Sequence, residues 1–437
     1  MAVGPFGSRM KADLYVPSGV RVIRGNNLSG GREPEGEYVH VAEETADSLA
    51  SCCLKPGDLV FPHRGNIGEV GITPDDGLRY MLSTSLMKLS PDRDKAEPLF
   101  LMYFFKSAVG RAALLMNASQ VGTPGIATPL KSLRGIQLPL PPLIAQRQIA
   151  NTLSALDDRI TLLRDTNATL EAIAQALFKS WFVDFDPVLA KMEGRAPEGM
   201  DEATAALFPD GMEEPELGLV PSGWRLVPFG QLLCHTIGGD WGSDAPDDKN
   251  DARVAIIRGT DIPDLQSGAN SRVPVRYTSQ KKLATRKLED GDIVLEVSGG
   301  SKDQPTGRSL YLTAGLLGQF DCPVEPASFC RLLRPNSKDI GVLLGQHLTY
   351  IYAQGKTWEY QNQSTGIANF QTTHFLEMEL VAIPGDDVLA AFAETIRPMV
   401  DRAHSTQIQE LASLRDTLLP RLISGQLRLN ETEDLNA

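Results

Sequence analysis

The stretch VRVIRGNNL, Val20 to Leu28, returns later in the chain as VAIIRGTDI, Val254 to Ile262. Working outward, LKPGDLV at Leu54 to Val60 returns as LEDGDIV at Leu288 to Val294, and TPGIA at Thr123 to Ala127 returns as STGIA at Ser364 to Ala368. The offset is 234 between Gly25 and Gly259 and again between Gly57 and Gly291, then 241 between Gly125 and Gly366. Each set is followed by an apolar-periodic stretch, Leu143 to Phe182 in the first copy and Val388 to Leu427 in the second. Four landmarks in one order define a duplicated module with small insertions, and a duplicated module implies a duplicated task.

Between its landmarks each copy alternates short apolar runs with Gly, Pro, Asn and Asp turns. VRVIRG, GDLVF and MLSTSLMKL in the first half precede a helix-like block, LFLMYFFKSAVGRAALLM; VAIIRG, GDIVLEV and SLYLTAG in the second precede DIGVLLGQHLTYIYAQG. This texture predicts a mixed module in each half, an α/β (α+β) fold class overall. The expected division is a first module at 1–142, a central helix at 143–187, an acidic linker at 188–220, a second module at 221–386, a C-terminal helix at 387–429 and a tail at 430–437.

The central helix starts after the proline run Pro139 to Pro142, which suits a first helical turn. Ile149, Leu153, Leu156, Ile160, Leu163, Asn167, Leu170, Ala174, Leu177 and Trp181 follow alternating steps of four and three, a heptad seam in which Asn167 would fix register. Leu389, Phe392, Ile396, Met399 and Ala403 give a matching seam that skips phase near His404 to Gln407 and resumes with Ile408, Leu411, Leu418 and Leu422. Two such seams are expected to pair as an antiparallel coiled coil, a rod of roughly 60 Å at about 1.5 Å per residue that carries one module at each end.

The formal charge of -13, from 42 Lys and Arg against 55 Asp and Glu, argues at first sight against a nucleic-acid partner. Residues 188–220 hold eight of those carboxylates (Glu193, Glu198, Asp201, Glu202, Asp210, Glu213, Glu214, Glu216) against Lys191 and Arg195, which leaves the modules closer to neutral. No run approaches the roughly 18 to 20 apolar residues of a membrane span, and the expected location is the cytoplasm. The five cysteines, Cys52, Cys53, Cys234, Cys322 and Cys330, have no metal-ligand spacing and read as free thiols.

GPFGS at Gly4 to Ser8, the VIRG strand, the PGD turn, the GIA loop, PLPPLIAQRQIANTLSALDDRI, the LFKSWFVDFDP segment at Leu177 to Pro187 and LPRLISG at Leu419 to Gly425 together resemble the DNA specificity subunit of Type I restriction-modification systems. The resemblance covers nearly the whole chain. It implies a non-catalytic subunit whose two target recognition domains each read half of a split, asymmetric DNA sequence, with the paired helices fixing the spacing. It further implies double-stranded DNA as ligand, two modification subunits that methylate adenine with S-adenosylmethionine, and two restriction subunits that use ATP and Mg. No cofactor or metal is expected on this chain, and no membrane.

The residues agree with that division. Gly355-Lys356-Thr357 lacks the first glycine of a phosphate-binding loop, because Tyr350 stands there. Asp292 and Glu296 superficially suggest a nuclease metal site but are followed by Ser298 where a lysine belongs, and read as turn residues. The candidate DNA-reading positions are polar loop residues of the types that pair with guanine and adenine: Arg9, Lys11, Arg64, Asn66, Gln120 and Thr123 in the first module, and Lys302, Gln304, Arg308, Lys356, Gln361, Asn362, Gln363 and Ser364 in the second. Arg24 and Arg258 recur in both copies and suit a shared scaffold or phosphate role. The second copy has a lead-in, Gly218 to Gly239, for which the first has no counterpart of about twenty residues. A degenerate specificity subunit and a DNA-binding scaffold without enzymatic partners are the alternatives.

Overall fold

The computed structural model describes residues 1–6, 9–119, 124–214, 218–268, 272–301, 303–364 and 367–429. They form two compact units, Met1–Arg159 with Leu411–Ala437, and Ile160–Glu410.

In the first unit an antiparallel sheet has the order Ala2–Val3, Leu86–Leu89, Leu59–Pro62, Gly71–Ile72. A second sheet runs Tyr15–Val16, Val39–Val41, Val20–Ile23, Tyr80–Leu82, Cys53–Leu54, and its Val20–Ile23 and Tyr80–Leu82 strands are parallel. The second unit repeats the first sheet and the central three strands of the second. Leu233–Gly238, Cys330–Pro335, Ile293–Glu296 and Ser309–Tyr311 form the antiparallel sheet. Ala252–Ile257 pairs antiparallel with Val275–Thr278 and parallel with Val324–Pro326. The internal repeat is therefore one of strand order and direction as well as of letters.

Local chemistry explains why the landmarks recur. In both PGD-type turns the glycine has positive φ, +82° at Gly57 and +98° at Gly291, a conformation that costs other residues a Cβ clash. The following aspartate closes each turn: Lys55 N–H donates to Asp58 Oδ2 at 3.0 Å and Glu289 N–H to Asp292 Oδ2 at 2.7 Å. Each aspartate also holds a cation, Lys88 at 3.2 Å in one copy and Arg334 at 2.8 Å in the other. The backbone N–H of Arg24 donates to Asn27, and that of Arg258 to Asp261, so the RG motif opens a capped 3-10 turn in both copies. Arg258 also forks onto Asp261 at 2.9 and 2.7 Å, which gives it a scaffold role.

The apolar block after Pro98 is buried all round, as Phe100 to Phe105 show. It is two helices where the sequence suggested one block: Pro98–Lys106 and Ala108–Leu115, bent by 78°. Ser107 makes the break by accepting the Gly110 N–H at its side chain. Among the described residues no single helix is long and apolar enough to cross a membrane.

The central helix is Leu143–Phe182, 40 residues, roughly 60 Å long. Gln146, 1 % exposed, fixes its start in the first unit by bonding Glu97 N–H, Lys95 C=O and Pro141 C=O. Ile149 and Leu153 share a core with Leu422 and Ile423, while Asp157 takes Arg415 at 2.7 Å and the Tyr103 hydroxyl at 2.6 Å. The partner numbers fall as the central helix advances, so this pairing is antiparallel. The same is true inside the second unit, where Asn167 donates to Ala403 C=O at 3.2 Å and Phe182 meets Phe392 at 4.7 Å between ring centroids. Of the remaining seam positions, Ile160 and Leu163 are buried, as are Ile396 and Ile408, and Leu156, Leu170, Leu177, Met399, Leu411 and Leu418 are half-buried.

Two expected segments differ from the structure. The C-terminal helix anticipated at 387–429 is two, Asp386–Ala403 and Gln407–Ile423. The break is built: Asn167 and Gln319 take the carbonyls of Ala403 and His404, and Thr313 meets the buried His404 ring at 3.2 Å. The acidic 188–220 segment is no free linker either. It contains the helices Asp186–Met192 and Glu202–Leu207 and a strand pair, Met212–Glu213 with Val220–Pro221. Val188, Phe208 and Val220 are buried in the core of the second unit. Those three residues anchor it while its described carboxylates face solvent, so a charge count alone missed the docked apolar anchors.

Candidate nucleic-acid interface

In the first module, Arg64 and Asn66 are exposed on the loop that follows the strand Leu59–Pro62. The hairpin Ala118–Ser119 with Gly125–Ile126 docks on that loop: Gly65 N–H donates to Pro124 C=O at 3.0 Å and Ile126 N–H to His63 C=O at 2.9 Å. The TPGIA landmark thus exists to bring the hairpin to the loop. Gln120 and Thr123 lie outside the described residues. Arg9 and Lys11 are exposed beside the turn Ala12–Leu14 and share no hydrogen bond or ion pair with the loop among the described residues.

The second module builds the same feature more fully. Ser298–Gly300, Ile367–Phe370 and Gln361–Ser364 make a three-stranded antiparallel sheet, in which Ile367 and Ala368 of the STGIA landmark start the middle strand. The two polar loops singled out from the sequence, 298–309 and 356–364, therefore meet on one sheet. Thr306 joins them by donating both N–H and hydroxyl to Gln361 Oε1, at 3.0 and 3.3 Å. Gln304 is exposed and donates to the Tyr352 hydroxyl at 3.4 Å. Asn362 is exposed. Lys302 and the side chains of Gln363 and Ser364 lie outside the described residues.

Two of the predicted cations are committed elsewhere. Arg308 forks onto the buried Glu296 at 2.8 and 2.5 Å, and Lys356 lies 2.8 Å from Glu379. Glu379, 1 % exposed, also accepts from the Tyr360 hydroxyl at 2.6 Å and contacts His347 at 2.8 Å. Burial works against its ionisation, but the bonds from His347, Lys356 and Tyr360 prevail and hold its carboxyl at about 2. Both cations are thus paired with buried carboxylates of the frame. The Asp292 and Glu296 carboxylates, each occupied by an arginine fork, have the same structural role. Sequence reasoning missed Asn369, exposed on the middle strand, because it follows an apolar landmark and reads as strand interior.

Similarity to known proteins follows the same lines. Residues 9–172 match the family model of the Type I restriction modification DNA specificity domain. The chain is 25 % identical over 428 residues to the Type I restriction enzyme HindI specificity subunit of Haemophilus influenzae, covering 86 % of this chain and 88 % of that one. It is 23 % identical over 418 residues to the MjaIX specificity subunit of Methanocaldococcus jannaschii, covering 90 % and 85 %. The crystal structure of the Type I restriction-modification S subunit from M. genitalium shares the fold, with a TM-score of 0.52 at 14 % identity over 96 % of this chain and 92 % of that one. A protein of mixed α/β architecture is the class these features define. Residues 9–172 thus match the DNA specificity domain, and most of the chain is similar to Type I restriction enzyme specificity subunits.

Proposed function

We propose that the chain is the DNA-reading subunit of a Type I restriction-modification complex, in which each module recognises one half of a bipartite, asymmetric target. The observation that carries this reading is the repeated module: one strand topology occurs twice, each copy sets a polar loop and a hairpin side by side, and a 40-residue helix lies between the copies in sequence. Two similar frames with different loop residues suit two different half-sites, since base readout depends on side chains while the frame is shared. In this proposal the paired helices set the spacer, and the two target recognition domains are the 1–142 and 221–386 segments.

The chain itself supplies recognition. Adenine methylation with S-adenosylmethionine would come from two modification subunits, and translocation and cleavage with ATP and Mg from two restriction subunits, all in the cytoplasm. The test is genome-wide adenine methylation in cells carrying the gene with its neighbouring methyltransferase, against cells with the gene deleted. A bipartite motif that vanishes on deletion is the expected result. A motif specified on one side only would identify a single-site reader, and an unchanged methylome would overturn the proposal.

A further inference from the structure

The three-stranded sheet of the second module carries a feature that the DNA-specificity reading, on which this inference rests, does not itself supply. Asn362 and Asn369 are directly opposite across the antiparallel pair, and Ser298 is opposite Asn369 on its other side. Opposed residues share a face, with Cβ atoms about 4.5 to 5.5 Å apart. Ala368 and Phe370, which flank Asn369, are 1 % and 6 % exposed, so the alternate face is core and the asparagine face is solvent.

The chemistry of that face is selective. The strands SGG, QNQS and IANF contain no charged residue, so the surface would not repel or attract a base edge by net charge. Gly299 and Gly300 put no side chain on its outer strand, and at Gly300 this lets the backbone of 304–306 pack closely. Gln361 is occupied by Thr306, whereas no described residue bonds either the Asn362 or the Asn369 carboxamide. The sheet is held from behind: Phe370 N–H donates to Val297 C=O at 2.9 Å, Gln371 N–H to Tyr360 C=O at 2.7 Å, and Tyr360 is fixed by Glu379. An amide side chain offers an acceptor and a donor in one plane, the complement of adenine N6 and N7, and a rigid frame makes such an edge discriminating.

We propose that Asn362 and Asn369 form the adenine-reading edge of the second module. Asn369 is then a specificity-determining residue of one half-site.

The experiment is the methylome of cells carrying the chain and its partner methyltransferase, with Asn369→Ala, Asn362→Ala and Asn369→Asp beside the unaltered protein, and a thermal melt of each purified variant to establish folding. Asn369→Ala should relax one adenine position in one half-site by roughly 5- to 150-fold while leaving the other half-site intact. Asn369→Asp, nearly isosteric but without the donor, should shift that position away from adenine and toward cytosine. A folded Asn369→Ala or Asn369→Asp chain that directs the unaltered motif would overturn the assignment while leaving the specificity reading in place. An unaltered chain that directs no motif would overturn both.

Discussion

The two modules share strand order and turn chemistry but differ in what they bury behind them. Val22 is opposite Met81 in the parallel pair of the first copy, whereas the matching Ile256 is opposite Glu325 in the second. Glu325 has no exposed surface and no hydrogen-bond partner for either oxygen among the described residues, and burial pushes its carboxyl up to about 7. Gly25 faces open space, while a Cβ on Gly259 would come within 2.4 Å of Glu296. The lesson is that a duplicated frame tolerates different polar interiors, even the unpartnered Glu325, and that the repeat lives in turns and strand pairing, not in the core's polar groups.

The comparison can be broken first at Glu379. Glu379→Ala strips His347 and Tyr360 of a buried partner and should cost about 3 to 5 kcal/mol in denaturant unfolding. Since the folded carboxyl titrates well below its ordinary 4.5, its contribution should be present above about pH 4.5 and decline as pH falls toward 2. Parity with the unaltered protein at pH 7 would remove the Glu379 hub from the account.

Glu325→Met, which gives the second copy the residue of the first, should stabilise. The unfolded carboxyl ionises near 4.5 and the folded one near 7, so the glutamate lowers stability as pH rises between those values and keeps it lowered above. The gain should be about 3 kcal/mol at pH 8 and close to nothing at pH 4, read by thermal or urea unfolding at both pH values. A gain independent of pH would mean that packing, not charge, is responsible.

Gly259→Ala should cost about 2 kcal/mol and Gly25→Ala far less, because only the former forces the Glu296–Arg308 pair to move. Equal melting shifts would show that the two RG turns are interchangeable. At the small end, Gln146→Leu imitates Leu389, its counterpart in the second helical seam, and leaves the Glu97 N–H without its acceptor. About 1 to 2 kcal/mol is expected, seen as faster hydrogen exchange at the start of the central helix, and unchanged exchange there would contradict the pinning role.

How far the sequence reached differs between frame and site. The central helix, expected at 143–187 and observed at Leu143–Phe182, was legible in its start and seam because 40 residues of one period outweigh local ambiguity, while its end came five residues early. The repeat was legible because Gly57 and Gly291 need positive φ and Asp58 and Asp292 close their own turns, interactions within three residues. The acidic segment was misread because the burial of Val188, Phe208 and Val220 depends on residues distant in sequence. The site was legible only in outline: loops 298–309 and 356–364 were identified separately, but Arg308 and Lys356 proved to be held by Glu296 and Glu379, and Asn369 was not seen at all.

By itself, the sequence determined the duplication, the α/β texture, the turns, the long helix and the family resemblance, all of which rest on short-range periodicity and on backbone conformations that few residues can adopt. Only the tertiary structure decided which polar side chains are free to meet a ligand, because that depends on which partner arrives across the fold. Arg308 and Asn369 make the point together: the arginine looks like a reader and is spent on a buried carboxylate, while the asparagine looks like strand filler and stands exposed, opposite a second amide.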